Sequence, residues 1–282
     1  MITRRCFLRW LLGLPLLSAF PFRATDMWAQ SIPAVTNGPK GSIGEFFRGE
    51  DLQYNIGFWF FRQAAVAEIS FKQGAQKGRY EATLQGETKG VIGLITLYRT
   101  DTLHAIMEEV DGGTRLRPVS FEEYTKIGSS VRKRRHSFDY QRRKWTQLTT
   151  RKDGRTRTAE EDIPEGKIYD DYLTASYNFR FGVYGPIERG RSYSVPTFPK
   201  TGASTYEVKV ASREDEERTR KSEQVGEGRE YLIRLTLDPE VTHSKEGVIE
   251  GWLSKDLRPM EGTIKDAIFF GDVQGTLVKS GK

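Results

Sequence analysis

Leu52-Gln53-Tyr54-Asn55-Ile56-Gly57-Phe58 decides the fold class. Apolar side chains recur at every second residue, the period of a β-strand with one covered face. Working outward, Val66 to Phe71 and the set Tyr80, Ala82 and Leu84 repeat the pattern. The three segments predict an antiparallel meander. Leu103 to Val110 reads as a strand closed by the turn Asp111-Gly112-Gly113. Val131 to Tyr140 and Lys144 to Thr150 read as a hairpin. Ser192 to Phe198, Thr205 to Ala211, Arg229 to Leu237, Val248 to Leu253, Gly262 to Ile268 and Asp272 to Val278 alternate in the same way.

Helical signals are few. Asp170 to Phe181 places Tyr172, Leu173, Ser176, Tyr177 and Arg180 at three- and four-residue spacings, with two aspartates at the positive end of the dipole. Val91 to Tyr98 suits a short buried helix or a strand, and Arg213 to Glu223 reads as a solvated charged loop or hairpin tip. The sum is about a dozen strands and one or two helices. It predicts a mainly β fold, a large curved antiparallel sheet or barrel with one or two packed helices.

The N-terminus has another character. Thr3-Arg4-Arg5-Cys6-Phe7-Leu8-Arg9 precedes an apolar run, Trp10 to Phe22, that is too short for a stable bilayer span. The pattern resembles a twin-arginine signal peptide over residues 1–30, cleaved between about Ala24 and Gln30. Residues 31–44, rich in Pro, Gly and Asn, are expected to be a flexible linker, and 45–282 a single β-domain. The expected location is the periplasm, with no integral membrane span in the processed form.

Charge and cysteine content narrow the function. Of the net +6, three charges belong to the first thirty residues, where four arginines face one aspartate, leaving +3. That weakens a nucleic-acid reading. The single cysteine, Cys6, leaves with the signal, so the processed chain has no disulfide and no thiolate ligand. His104, His136 and His243 lack partners at metal-ligand spacing. No metal, cofactor or catalytic residue is assigned. The adjacent carboxylate pairs, such as Glu122-Glu123, would point to opposite faces of a strand and could not act together. Asp171 and Asp256 fit helix capping and turn formation.

Two clusters are candidates for binding. The first is the basic run Arg132-Lys133-Arg134-Arg135-His136 with Arg142, Arg143 and Lys144, interleaved with Phe138, Tyr140 and Trp145. It reads either as a solvated hairpin whose charges protect an edge or as an anionic-ligand surface on Arg132, Arg134, Arg142 and Arg143. The second is Phe58, Trp59, Phe60 and Phe61. A continuing strand would turn Trp59 and Phe61 to one face and Phe58 and Phe60 to the other, into core or into the wall of an apolar cavity.

Four stretches carry a family resemblance: Gly49-Glu50-Asp51-Leu52-Gln53-Tyr54; Asp111-Gly112-Gly113 leading to Leu116-Arg117-Pro118; Asp171-Tyr172-Leu173-Thr174-Ala175-Ser176-Tyr177; and Trp252-Leu253-Ser254-Lys255-Asp256 with Arg258-Pro259. In this order they resemble the DUF3108 family of exported bacterial proteins of unknown function, over roughly Glu45 to Val278. Met260 stands where a β-branched residue is usual, and residues 186–191 hold no cysteine. The resemblance implies a β-rich exported domain, akin to curved-sheet lipoprotein carriers or closed-barrel lipid binders, and no catalytic residue. The expected function is non-enzymatic binding of an apolar or amphipathic, lipid-like ligand, bordered by Phe58, Trp59, Phe61 and Trp252. The alternative is a cell-envelope structural or interaction module with a protein partner, and behind it a glycan hydrolase. No nucleic acid is expected as a partner.

Overall fold

The computed structural model describes residues 41–151, 153–198, 205–223, 225–237, 239–242, 244–267 and 271–281, all within one compact unit, residues 37–282. The twin-arginine stretch, Cys6, His243 and nearly all of the 31–44 linker lie outside the described residues.

Fourteen strands form one sheet. The first eight are β1 (Asp51–Phe58), β2 (Phe61–Gln73), β3 (Arg79–Thr88), β4 (Thr100–Val110), β5 (Arg115–Ile127), β6 (Ser130–Asp139), β7 (Lys144–Thr150) and β8 (Thr156–Asp162). The rest are β9 (Ser192–Pro196), β10 (Thr205–Val210), β11 (Tyr231–Thr236), β12 (Val248–Leu253), β13 (Pro259–Ala267) and β14 (Gly271–Gly281). Helices α1 (Ile43–Phe47), α2 (Gly90–Ile95), α3 (Tyr172–Phe181), α4 (Arg213–Ser222) and α5 (Pro239–Thr242) interrupt them. The spatial order is β8-β7-β6-β5-β4-β3-β2-β1-β14-β13-β12-β11-β10-β9. The chain therefore starts at the centre, walks to one edge, crosses through α3 to the other edge, and walks back until β14 pairs with β1. Every neighbouring pair is antiparallel, from Asp51 opposite Gly281 on β1–β14 to Thr146 opposite Glu160 on β7–β8. The expected mainly β, curved antiparallel sheet is the observed fold, and it is open: β8 and β9 are its edges.

The sheet curls round α3. Leu173 and Tyr177 enter a core with Phe71, Ala105, Met107, Leu116 and Phe121 from β2, β4 and β5. Ala175 and Phe179 enter a second core with Tyr193, Val195, Val208, Val210 and Leu253 from β9, β10 and β12. Phe198, just past β9, closes the curl by stacking on Trp145 of β7 at 5.8 Å and packing at a tilt against His136 of β6 at 4.4 Å. Each large apolar side chain buried here contributes about 1.5–3 kcal/mol.

A helix enclosed on both sides must satisfy its polar groups without bulk water. Asp171 caps α3, accepting from the Leu173 and Thr174 amides at 2.9 and 3.0 Å. Asp170 is paired with Arg115 at 3.0 Å and also accepts from Asn178 and the Tyr184 hydroxyl. Arg180 is buried against Glu50 through bonds of 2.8 and 2.5 Å and donates to the Leu257 carbonyl at 2.8 Å. Gly182 ends the helix in the left-handed region at φ 87°.

Asn178 replaces a missing strand. Pairing between β5 and β6 begins at Ser120 opposite Ser137, so Leu116 has no β6 neighbour. The Asn178 carboxamide donates to the Leu116 carbonyl and accepts from its amide, both at 2.9 Å. Helix α1 packs closely on β3: a Cβ on Gly44 would lie 2.0 Å from the Tyr80 ring.

Two sequence expectations change and one open reading is resolved. Arg213 to Glu223 is helix α4 and no loop. Ser212 caps it, acidic residues fill its first turn and Arg220 and Lys221 its last, matching the helix dipole. It covers the outer face, where Arg220 lies 4.5 Å above the Trp252 ring. Trp59 and Phe60 are a turn between β1 and β2, with Trp59 at φ 51°, so the predicted two-faced aromatic strand does not exist. Val91 to Tyr98, open in the sequence between a short buried helix and a strand, is helical as far as Ile95, in α2, and mostly exposed.

Replacing Asn178 with Ala strips both partners from a buried backbone unit and is expected to destabilise the fold by about 2–5 kcal/mol, read by urea denaturation; a loss under 1 kcal/mol would show that the amide does not substitute for a strand. Burial pushes the Asp171 carboxyl up to about 6 against the hydrogen bonds it accepts. A carboxyl with a higher pKa folded than unfolded takes up protons on folding. Its contribution is thus complete below about pH 4 and lost as pH rises through about 6. Unfolding free energy from this group is expected to fall by a few kcal/mol between pH 4 and 7. Asp171→Asn keeps a capping side chain and should flatten that part of the profile; parallel profiles for the two proteins would refute the assignment.

Candidate functional site

Strand alternation divides the basic hairpin. On β6, Phe138, His136, Arg134, Arg132 and Ser130 share the concave face, since Phe138 and His136 belong to the buried face. Lys133 and Arg135 face outward and are both paired with Glu122, at 3.0 and 3.4 Å. The concave row runs from core to cation: α3 and the aromatic cluster fill one end of the curl, and arginines line the other.

The paired rows of neighbouring strands complete the site. Thr125 lies opposite Arg132, and Arg134 opposite Thr149, which lies opposite Arg157. The resulting pocket has a volume of about 810 Å³ and draws its arginines, Arg99, Arg132, Arg134, Arg151 and Arg157, from β6, β8 and the segments flanking β4 and β7. None of its lining residues is acidic. Two carboxylates stand behind the wall: Asp101 binds Arg99 at 2.6 Å, and Glu123 binds Arg134 at 3.0 Å. Arg132, Arg151 and Arg157 have no ion pair among the described residues. Burial, and next the Arg134 charge, push Arg132 below the ordinary guanidinium value. Convergent guanidiniums with few counter-charges form a site for phosphate, sulfate or carboxylate groups.

The buried end of the row is plugged. His136 is fully buried beside Phe198 and Trp145, and its Nε2 lies 3.6 Å from Glu123. A smaller concavity of about 350 Å³ at the end of α3 includes Arg115, whose guanidinium is engaged by Asp170. His104 is 3.6 Å from Glu81. The carboxylates weighed for hydrolysis are dispersed: Glu108 binds Arg117, Glu109 accepts from the Gly44 amide, and Asp170 and Asp171 are buried in the α3 anchor. Asp256 holds the turn after β12 through Ser254 and Arg258.

Of the candidates read from sequence, Arg132 and Arg134 meet in the pocket. Arg142 and Arg143 are in the β6–β7 turn at the opposite end of the strands: Arg142 is exposed beside Asp139, and Arg143 donates to the Ile163 and Lys167 carbonyls. The hairpin reverses direction there, so four arginines close in sequence cannot form one patch. Phe58, Trp59 and Phe61 gather at the β1–β2 hairpin. Trp252 faces the outer side with Leu232 and Ala211, opposite in sense to its concave neighbour Leu253, and does not join them. The expected apolar cavity is occupied by α3 and its cores. Arg99, Arg151 and Arg157 were not singled out from the sequence; their signal was the register of five strands, of which β5 and β8 had no apolar alternation to announce them.

The family model for DUF3108, described as a protein of unknown function, matches residues 53–278. No curated protein matches the chain. Among solved structures, one described as a beta-barrel-like protein of domain of unknown function DUF1849 from Brucella abortus is similar at 10% identity. The match covers 83% of this chain and 98% of that one with a TM-score of 0.43. No helix among the described residues is long and apolar enough to cross a membrane.

Removing a cation from among the pocket arginines relieves repulsion. Arg132→Gln is expected to leave the unliganded protein as stable or more stable by about 0.5 kcal/mol, measured by thermal melting at low salt. Destabilisation by more than about 1 kcal/mol would mean that Arg132 already has a compensating partner.

Proposed function

The chain belongs to the DUF3108 family, and from that footing we propose that it is an exported periplasmic binding protein, non-enzymatic, for an anionic amphipathic ligand of lipid-like character. The anionic head enters the arginine pocket and the apolar part leaves through its mouth. One observation carries this reading: five arginines converge on a concave surface with no acidic side chain in its lining. A fully enclosed apolar ligand is not part of the proposal, because α3 fills the space that such a ligand would need. That filled interior is also what favours the second reading, an envelope interaction module. A glycan hydrolase would require two converging carboxyl groups, which the pocket lining lacks.

Calorimetric titration with short-chain phospholipids, kept below micelle formation, separates the readings. Dihexanoyl phosphatidylglycerol is expected to bind and dihexanoyl phosphatidylcholine to bind at least tenfold more weakly. Arg132→Glu with Arg157→Glu should abolish the difference, whereas Arg142→Glu should leave it intact. Equal affinity for the two lipids, or a charge reversal without effect, would remove the pocket from the function.

A further inference from the structure

The mouth of the arginine pocket adjoins an apolar rim. Trp59 and Phe60 at the β1–β2 turn are 68% and 79% exposed, and Val91, Leu94, Ile95 and Leu97 in and after α2 are all more than half exposed. Scattered apolar residues on a surface carry no message, but a contiguous group does. Helix α2, Gly90–Ile95, contains no polar side chain at all, and its buried residues are Ile92 and Gly93 alone.

The backbone holds these side chains outward. Trp59, Leu97 and Tyr98 have φ values of 51°, 54° and 50°, a left-handed conformation that is costly for residues with a Cβ. The fold fixes this arrangement. The Thr96 hydroxyl bonds to Thr88 at 2.8 Å, the Tyr98 amide donates to the Gly93 carbonyl, and a Cβ on Gly93 would meet the Tyr98 ring at 2.9 Å. Apolar side chains kept exposed by a constrained backbone are suited to an external apolar phase.

Rim and pocket are one surface. The Gly128 amide, in the turn between β5 and β6, donates to the Leu97 carbonyl at 3.0 Å. Ile127 and Ser130, on either side of that turn, line the arginine pocket, as does Arg99, two residues after Leu97. The β1–β2 turn is at the same end of the antiparallel sheet, with the Trp59 indole beside Gly271 at the start of β14. Aromatic and aliphatic side chains next to guanidiniums match the layering of a bilayer surface, where acyl chains lie beneath anionic headgroups.

We propose that this end of the sheet is a membrane-contact face, in which Trp59, Phe60, Leu94 and Ile95 insert into the interfacial region of an anionic bilayer and the arginine pocket opens onto its headgroups. The choice of an anionic bilayer rests on the pocket reading; the insertion of the rim does not. The apolar side chains bring the pocket to the lipid layer, so that a ligand passes between bilayer and protein without crossing water.

The test is flotation of the processed protein with vesicles of phosphatidylcholine containing 30% phosphatidylglycerol, alongside vesicles of pure phosphatidylcholine. Binding to the mixed vesicles is expected, with quenching of Trp59 fluorescence by brominated acyl chains and no quenching in Trp59→Phe. Leu94→Ser with Ile95→Asn should reduce partitioning at least tenfold while short-chain phosphatidylglycerol still binds within twofold of wild type. That retained affinity also shows that the variant is folded. Undiminished flotation of the rim variant would overturn the proposal. So would absence of wild-type flotation, including a case where the rim instead holds two copies together as a dimer that the variant dissociates. If vesicles bind through the rim but the short-chain lipid does not bind at all, the pocket reading fails and the contact face stands.

Discussion

Burial of α3 is the constraint on which this architecture depends. The helix presents apolar side chains to both halves of the sheet, so it cannot lie on a surface; it has to be enclosed. Enclosure strands its polar groups, and each has a specific answer. The N-terminal amides go to Asp171, Asn178 completes the β5 backbone, and Arg180 reaches Glu50 at the start of β1. Arg115 neutralises Asp170, whose pKa burial nonetheless raises. These contacts join residues 50, 115 and 170–180, tying the middle of the sheet to its crossover. A buried ion pair such as Arg180–Glu50 adds little net stability compared with apolar residues of the same shape. Its geometric demand is strict, however, and it fixes the last turn of the helix against the start of β1.

The same enclosure creates the pocket. Helix α3 is ten residues long, about 15 Å, while β5 runs for thirteen residues and β6 for ten. The helix can cover only part of the concave face. Phe198, Trp145 and His136 seal the covered end, and the strands continue past them with nothing to pack against. Apolar residues there would leave a large open patch; guanidiniums keep the space hydrated and prevent its collapse by mutual repulsion. The openness of the sheet acts in the same direction. Edge strand β8 is exposed along its whole length and polar except at Ala159, which discourages pairing with another chain and leaves one side of the pocket accessible.

Much of this was legible in the residues, with limits that have physical causes. The strands with one covered face announced themselves by alternation, and Asp171 with the Tyr172–Phe181 periodicity announced α3. Strand β8 was silent because neither of its faces meets a core. Helix α4 was misread because its surface is almost wholly charged, although Ser212, the acidic first turn and the basic last turn were its true signature. Within it Glu216 is buried, paired with Arg189 at 2.8 Å, a contact 27 residues away that no local pattern encodes. Trp59 and Phe60 were assigned to a strand because they are apolar, and a turn of aromatic residues contradicts the usual turn chemistry of Gly, Asn and Pro.

The sequence by itself determined the class of fold, the family, the position of the central helix and the presence of a cationic hairpin, because each is a property of neighbours along the chain. Only the tertiary structure decided which cations converge. Arg132 and Arg134 are inward and Lys133 and Arg135 outward by strand alternation, but the partnership of Arg132 with Arg99, Arg151 and Arg157 comes from the register across five strands. The separation of Trp252 from the Phe58–Phe61 cluster was decided in the same way, by which face of the curled sheet each side chain meets. A two-residue period fixes alternation and leaves its sign open. That sign is set by the burial of α3, which makes one face of the strands packed around it the inside.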